Sequence, residues 1–335
     1  MKLLSLAPLA GPARAALEAM GSLEVDPWID HVPIKLHSPE ELIARLAGID
    51  VLLVEADHIS SAVLEGSDLL ALVTCRGDPV NVDIAAATAR GIPVLRAPGR
   101  NARGVAELAL GLAIALARSV VAADDDVRAG RFIVDQRLAQ QRYTGREIRS
   151  MTVGIVGFGA VGREAAALFK AVGAAVVVFD PFVDAATIEA AGCRAGTLEE
   201  VLRASDCVSL HAAITDQTRG MIGASELALM KPEAMLVNTA RFGLVDEQPL
   251  LDALSGGRLA AAAFDHFTGE FLPEDHPLAS MPNVILTPHL GGTTRETIEE
   301  HTRLAAEGLA ILLRGEAPSS LVDPSVMDAF RARIA

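Results

Sequence analysis

The sequence predicts an α/β fold built on doubly wound parallel sheets. Three observations predict it. Short apolar strands alternate with amphipathic helices, a Gly-x-Gly-x-x-Gly run sits at a strand-to-helix turn, and 335 residues suffice for about two domains. Hydrophobic residues make up 51% and charged ones 21%, a balance that supports packed cores and not disorder. A net charge of −14 works against nucleic-acid binding, which needs a basic face, and 4% aromatics leave little for base stacking. The longest clean apolar run, Leu108–Ala117, has ten residues and is bounded by Glu107 and Arg118. A membrane span needs roughly 20 such residues, so this run reads as a buried helix and no membrane partner is expected.

The elements follow in order. The opening MKLLSLAPLA has one Lys and a short apolar segment broken by Pro8, so Lys2–Leu6 reads as a first strand and not as a signal peptide. Ser38-Pro39-Glu40-Glu41 is a capping box with Pro at the first helical position, and its helix runs to about Gly48. Val51–Val54 and Leu69–Thr74 read as buried strands, Asp83–Arg90 as a helix stopped by Gly91, and Ile92–Leu95 as a strand. Ala97-Pro98-Gly99 is a break, followed by a long helix over Asn101–Val121 and a polar arm over 124–150. A second series begins at Thr152, with strands at Thr152–Val156, Ala175–Phe179, Cys207–His211, Met235–Asn238, Ala261–Phe264 and Val284–Thr287. Thr197–Glu200 and Thr293–Glu296 read as capping boxes, and a last helix over Thr294–Leu313 precedes a short tail.

Three cysteines, Cys75, Cys193 and Cys207, form no CxxC pair, which suggests neither zinc nor disulfides but buried thiols in a reducing cytoplasm. Asp265, His266, Asp275 and His276 match no ligand spacing, so no metal is expected.

Gly157-Phe158-Gly159-Ala160-Val161-Gly162 follows an apolar strand, opens a helix, and precedes a second strand ending in Asp180. That is the βαβ context of a dinucleotide site. The first glycine permits the tight turn, the second lets backbone approach a pyrophosphate, and the third lets helix and strand pack closely. The helix N-terminus faces the negative charge. Asp180 would accept from ribose hydroxyls and oppose a 2′-phosphate, which favours NAD over NADP.

At this point the chain resembles the D-isomer-specific 2-hydroxyacid dehydrogenases, nearest the phosphoglycerate dehydrogenase and hydroxypyruvate/glyoxylate reductase branch. The resemblance runs through Ala97–Asn101, Val105–Glu107, the glycine run, Ser209-Leu210-His211, Met230-Lys231-Pro232, Asn238-Thr239-Ala240-Arg241 and Thr287–Gly292. It implies two Rossmann-like domains with the active site in the cleft between them. The substrate domain is discontinuous, 1–98 plus 296–335, and the NAD domain is 99–295. It also implies a homodimer paired through the NAD domain and the arm 124–150. The chain as given leaves no room for the regulatory domain that some phosphoglycerate dehydrogenases append.

The chemistry of a 2-hydroxy or 2-keto acid substrate needs a carboxylate clamp, a proton carrier and a hydride cofactor. Arg241 follows a buried strand, where its guanidinium can clasp a carboxylate and polarise a carbonyl. His289, in the family's TPHxGG setting, is by resemblance the acid/base residue, and its type suits that role. Glu270, five residues after Asp265, has the family spacing for the carboxylate that pairs with it. The resemblance gives His211, Thr239, Ala240 and Asp265 to the cofactor, with Asp265 on the nicotinamide carboxamide. It gives the loop Arg76-Gly77-Asp78 to the substrate carboxylate.

The loop departs from the family pattern: it is shorter and carries Asp78 and Pro79. Asp78 would repel a second anionic group on the substrate, though Arg76, Arg96 and Arg100 could offset that. Phe242 and Phe271 stand where many relatives have glycine and proline, and Ala213 where many have proline. The expected function is NAD-dependent interconversion of a D-2-hydroxy acid and its 2-keto acid. The alternatives are an NAD-responsive binding protein, like the corepressors that share this fold, and a phosphite-type dehydrogenase.

Overall fold

A computed structural model describes residues 1–334. They form two compact units, one of residues 1–100 with 294 onward and one of residues 101–293. The second unit is two residues shorter at each end than the span 99–295 expected from sequence.

The first unit carries a five-stranded parallel sheet. Its strands are β1 (Lys2–Ser5), β2 (Ser22–Val25), β3 (Val51–Val54), β4 (Ala71–Thr74) and β5 (Val94–Leu95), in the order β2-β1-β3-β4-β5. β3 and β4 are buried along their whole length, as a sheet covered on both faces requires. β2 went unrecognised in the sequence because it lies at the sheet edge and alternates exposed and half-buried residues. One face packs on helices that arrive from the far end of the chain. Ala305, Leu309, Leu312 and Phe330 join Leu3, Val51 and Val73 in a single core cluster. The expected short tail is therefore structured. After the helix Arg295–Leu312 comes a further helix, Met327–Ile334, which buries Phe330 completely.

In the second unit, a small antiparallel hairpin, β6 (Ile133–Val134) with β7 (Arg137–Leu138), precedes the main sheet. That sheet holds β8 (Thr152–Val156), β9 (Ala175–Phe179), β10 (Arg194–Ala195), β11 (Cys207–Leu210), β12 (Met235–Asn238), β13 (Ala261–Phe264) and β14 (Val284–Leu286). The order is β10-β9-β8-β11-β12-β13-β14, all parallel, so the winding reverses between β8 and β11. Ligands of such sheets bind beyond the carboxyl ends of the strands at that switch point. The helix Ala102–Ala117 buries one face against this sheet, in a cluster with Val153, Ile155, Met235 and Ala263.

Two expectations need correction here. The helix read as Asn101–Val121 is two helices, Ala102–Ala117 and Val120–Arg128, meeting at a 62° bend. Ser119 sits in the left-handed region at φ 50°, which breaks the hydrogen-bond ladder without the Gly or Pro that usually marks such a break. No single helix among the described residues is long and apolar enough to cross a membrane. The second correction concerns the cap of the long C-terminal helix. It is Thr294, whose hydroxyl accepts from the Thr297 N–H at 3.1 Å, and not Thr293 with Glu296. Thr293 instead donates to the carbonyls of Leu290 and His289 and belongs to the preceding loop.

The arm 124–150 is less polar on its surface than its sequence suggested. Asp126 ties it together by accepting from Tyr143 Oη at 2.6 Å, Arg131 Nε at 2.7 Å and Arg142. These donors hold its carboxyl well below the usual carboxylate range. Val127, Phe132, Ile133 and Leu138 are left exposed.

Candidate active site

The site is built from the turns that follow β8, β11, β12, β13 and β14. At the end of β8 the three glycines meet three different demands. Gly157 has φ +93°, and a Cβ there would lie 2.7 Å from the Ala212 nitrogen. A Cβ on Gly162 would lie 2.0 Å from the Gly157 carbonyl oxygen. A Cβ on Gly159 would meet nothing within 4 Å. Closed packing at the first and third positions with open space at the second is what a dinucleotide pyrophosphate requires. Ala160 and Val161 start the helix Ala160–Ala171, whose first N–H groups are without intrahelical partners. The Phe158 side chain is fully buried, and the Arg163 guanidinium lies 4.7 Å from its ring centroid.

Asp180 is more committed than its sequence position revealed. One carboxylate oxygen accepts from the Phe158 N–H at 2.6 Å and the other from the Phe182 N–H at 2.8 Å. The carboxylate thus clamps the glycine turn to the end of β9.

Two further turns carry polar atoms that are buried and have no partner: His211 Nδ1 after β11 and Thr239 Oγ1 after β12. Buried polar groups of this kind are uncommon and need a reason. At the carboxyl ends of parallel strands a bound ligand would satisfy them, so these residues fit NAD. His211 Nε2 pairs with Ser209 Oγ at 2.9 Å, and burial pushes the ring's pKa down to about 4, so it stays neutral.

The Arg241 turn is shaped by Asn238, a residue to which the sequence gave no role. Its side-chain oxygen accepts from the Ala240 N–H at 3.0 Å and its amide donates to the Arg241 carbonyl at 2.9 Å. Arg241 itself is exposed at the end of this turn. Phe242 packs edge-on against Phe264 with centroids 5.2 Å apart, so this departure from the family pattern fills the core behind the turn.

His289 and Glu270 are brought together. His289 Nδ1 lies 2.7 Å from Glu270 Oε1, and the ring is 43% exposed. Nδ1–H donates to the carboxylate, which leaves Nε2 as the atom that exchanges a proton with a ligand. Both residues have positive φ, 57° for His289 and 55° for Glu270. Such conformations cost energy in non-glycine residues and persist only where surroundings enforce them.

For His289 the enforcer is Asp265. Its fully buried carboxylate accepts from Thr287 Oγ1 at 2.5 Å, the Leu290 N–H at 2.7 Å and the Gly291 N–H at 2.8 Å. These donors bracket His289 on both sides, so within this chain Asp265 braces the histidine loop.

His266, next in sequence, is also part of the cluster. Its Nε2 lies 3.7 Å from Glu270 Oε1, and its ring stands edge-on to His289 with centroids 5.0 Å apart. Burial, and then the charge of Arg241, press its pKa below the ordinary histidine value. His266, Glu270 and His289 place possible ligand atoms within 4.8 Å of one another. A metal held through His266 Nε2 would leave the ring's other N–H buried without an acceptor, and metal-bound imidazoles rarely go without one. The set suits a proton better than an ion.

Arg76, Gly77 and Asp78 lie in the first unit, in the loop after β4. The loop is pinned by Thr74 Oγ1 donating to Asn81 at 2.9 Å and by Asn81 donating to the Asp57 carbonyl at 3.0 Å. Arg100 already has partners in the first unit. It pairs with Glu55 at 2.6 Å and with His301 Nδ1 at 2.7 Å.

Comparison with known proteins gives the family. Residues 110–291 match the family described as D-isomer specific 2-hydroxyacid dehydrogenase, NAD binding domain. A glyoxylate reductase of Korarchaeum cryptofilum is 35% identical over 318 residues, covering 94% of both chains. A D-3-phosphoglycerate dehydrogenase of Methanocaldococcus jannaschii is 34% identical over 96% of this chain, which spans only 59% of that protein's length. The crystal structure of the TT0316 protein of Thermus thermophilus superposes with a TM-score of 0.80 at 32% identity, over 96% of this chain and 100% of that one. The chain belongs to the D-isomer-specific 2-hydroxyacid dehydrogenases, a family of NAD-dependent oxidoreductases, and its residues 110–291 form the family's NAD-binding domain.

Proposed function

We propose that this chain interconverts a D-2-hydroxy acid and the matching 2-keto acid. The observation that carries the reading is the 2.7 Å contact between His289 Nδ1 and Glu270 Oε1, which leaves Nε2 of a half-exposed imidazole to move a proton. Bound NADH supplies the hydride that the α-carbon of the keto acid accepts. His289 Nε2 gives a proton to the carbonyl oxygen in that direction and takes it from the hydroxyl in the other. Glu270 holds the ring in the tautomer that leaves Nε2 outward. Arg241 clasps the carboxylate and draws electron density from the carbonyl oxygen. Asp265 keeps His289 in its left-handed conformation. Gly157, Phe158, Gly159, Ala160, Val161, Gly162, Asp180, His211, Thr239 and Ala240 hold the cofactor. In the first unit, the N–H groups of Gly77 and Asp78 are the candidates for substrate carboxylate contacts.

The exposed apolar side chains of the arm, Phe132, Ile133 and Leu138 among them, support pairing of two copies through the NAD-binding unit. Three free, buried cysteines suit the cytoplasm. The experiment is steady-state turnover with a panel of 2-keto acids, including glyoxylate and hydroxypyruvate, with NADH and NADPH. Tight NADH binding with no turnover on any acid would replace this reading by an NAD-responsive binding protein.

The Asp180 clamp gives a sharper version of the cofactor prediction. Asp180→Ala removes the charge that opposes a 2′-phosphate, so the NADPH-to-NADH ratio of kcat/KM rises. It also frees the Phe158 and Phe182 N–H groups, so the affinity for NADH itself falls. Dissociation constants for both cofactors check this. An unchanged ratio would mean that Asp180 shapes the glycine turn without selecting the cofactor.

A further inference from the structure

The His289–Glu270 pair has a third member that the proposed mechanism leaves without a task. His266 follows Asp265 at the end of β13 and its side chain is 17% exposed, against 57% for Glu270 and 43% for His289. Its Nε2 is 3.7 Å from Glu270 Oε1, the oxygen that accepts from His289. Its ring meets the His289 ring at 79°, edge to face, with 5.0 Å between centroids.

The tautomer of His266 follows from these surroundings. Nδ1 is buried and has no partner. A proton there would be a buried N–H without an acceptor, and Nε2 would turn its lone pair towards a carboxylate. The proton therefore belongs on Nε2, where the N–H dipole points its positive end at Oε1. At 3.7 Å this is an electrostatic contact and not a full hydrogen bond.

Backbone conformation supplies a second, independent argument. Gly269, Glu270 and His289 all have positive φ, at 72°, 55° and 57°. Glu270 projects from the short 3-10 turn Thr268–Glu270, and its backbone alone does not fix where the carboxylate goes. His266 lies two residues beyond β13 and packs against both members of the pair. We propose that His266 is a positioning residue for the acid/base pair. In this arrangement the Glu270 carboxylate is shared between two imidazoles, one that exchanges the proton and one that holds the carboxylate in line. The charged and titratable groups that act on His266 are Arg241, Glu270, His289 and the buried Asp265.

The inference rests on the function proposed above, and its test separates the two. The variants are His266→Val, which keeps a similar volume without an N–H, and His266→Gln, which returns an amide N–H near the Nε2 position. Glyoxylate reduction is measured as a function of pH, NADH binding by fluorescence, and the His289 ring protons by NMR titration without substrate. His266→Val lowers kcat roughly 10-fold, the scale of a small misplacement of a reacting group, and leaves the NADH dissociation constant near its original value. With that N–H gone, the Glu270 carboxylate is no longer held in line with His289, and the pH profile of kcat departs from that of the unmodified protein. His266→Gln restores most of kcat and the original pH profile.

An unchanged kcat and pH profile in His266→Val overturns the proposal. So does an equal loss in both variants, because that would make His266 a packing residue. If the unmodified protein reduces no keto acid, the functional reading fails by itself. The NMR measurement still decides this point: a changed pH dependence of the His289 ring protons in His266→Val supports the proposal, and an unchanged one overturns it.

Discussion

His289→Ala lowers keto-acid turnover by roughly 10²- to 10⁴-fold, the usual contribution of a positioned acid/base group. NADH binding is retained, because the glycine run closes β8 while His289 lies beyond β14, four places away in the sheet order. Single-turnover kinetics with NADH in excess, alongside a binding titration, check both halves of this statement. Glu270→Gln is the informative contrast. The ring keeps a partner at Nδ1 and with it its orientation, so the loss of rate is smaller. Near-normal turnover in His289→Ala would remove the proton-transfer role and with it the mechanism.

The second large effect is expected at a residue that touches no proton in the reaction. Asp265→Asn keeps the shape of the side chain but turns one acceptor oxygen into a donor. Thr287 Oγ1, Leu290 N–H and Gly291 N–H converge on the two oxygens of Asp265, so at least one of these donors then faces an N–H. An unsatisfied buried group costs about 1–3 kcal/mol, and here the cost is met most readily by releasing the strained turn at His289. The expected result is a kcat lower by roughly 10²-fold with the cofactor site still formed, together with a lower Tm. A variant with normal kcat and a lowered NADH affinity would instead give Asp265 to the nicotinamide, as the resemblance first suggested.

These two predictions differ in how far they were visible in the sequence. His289, Glu270, Arg241 and the glycine run could be named from motifs, because each lies in a short segment with a local signature. Strand-end placement was legible for the same reason: β8, β9, β12 and β13 are mostly apolar segments of four or five residues with clear punctuation. What could not be read was anything decided by tertiary contact. Ser119 carries no sign that it breaks a helix, since apolar residues continue on both sides of it. The edge strands β2 and β10 are too short and too exposed for a period to show. Asn238 and Asp265 look like ordinary strand-end polar residues until their partners are known. His266 could be set aside as a metal ligand on spacing, but its contact with Glu270 depends on the tight turn at Gly269.

The return of the chain's last helices to the first sheet bears on the order in which this protein folds during synthesis. His301 bonds the Pro8 carbonyl across 293 residues of sequence, and Phe330 shares a core with Leu3. The strands of the first sheet leave the ribosome before residues 101–293, yet one face of their sheet stays uncovered until the helices Arg295–Leu312 and Met327–Ile334 have been made. The residues of the NAD-binding unit are contiguous and emerge in between, so that unit can close while its elder neighbour still waits. Early termination of translation would therefore strand the N-terminal segment with an open apolar face, while the nucleotide-binding unit could already be whole.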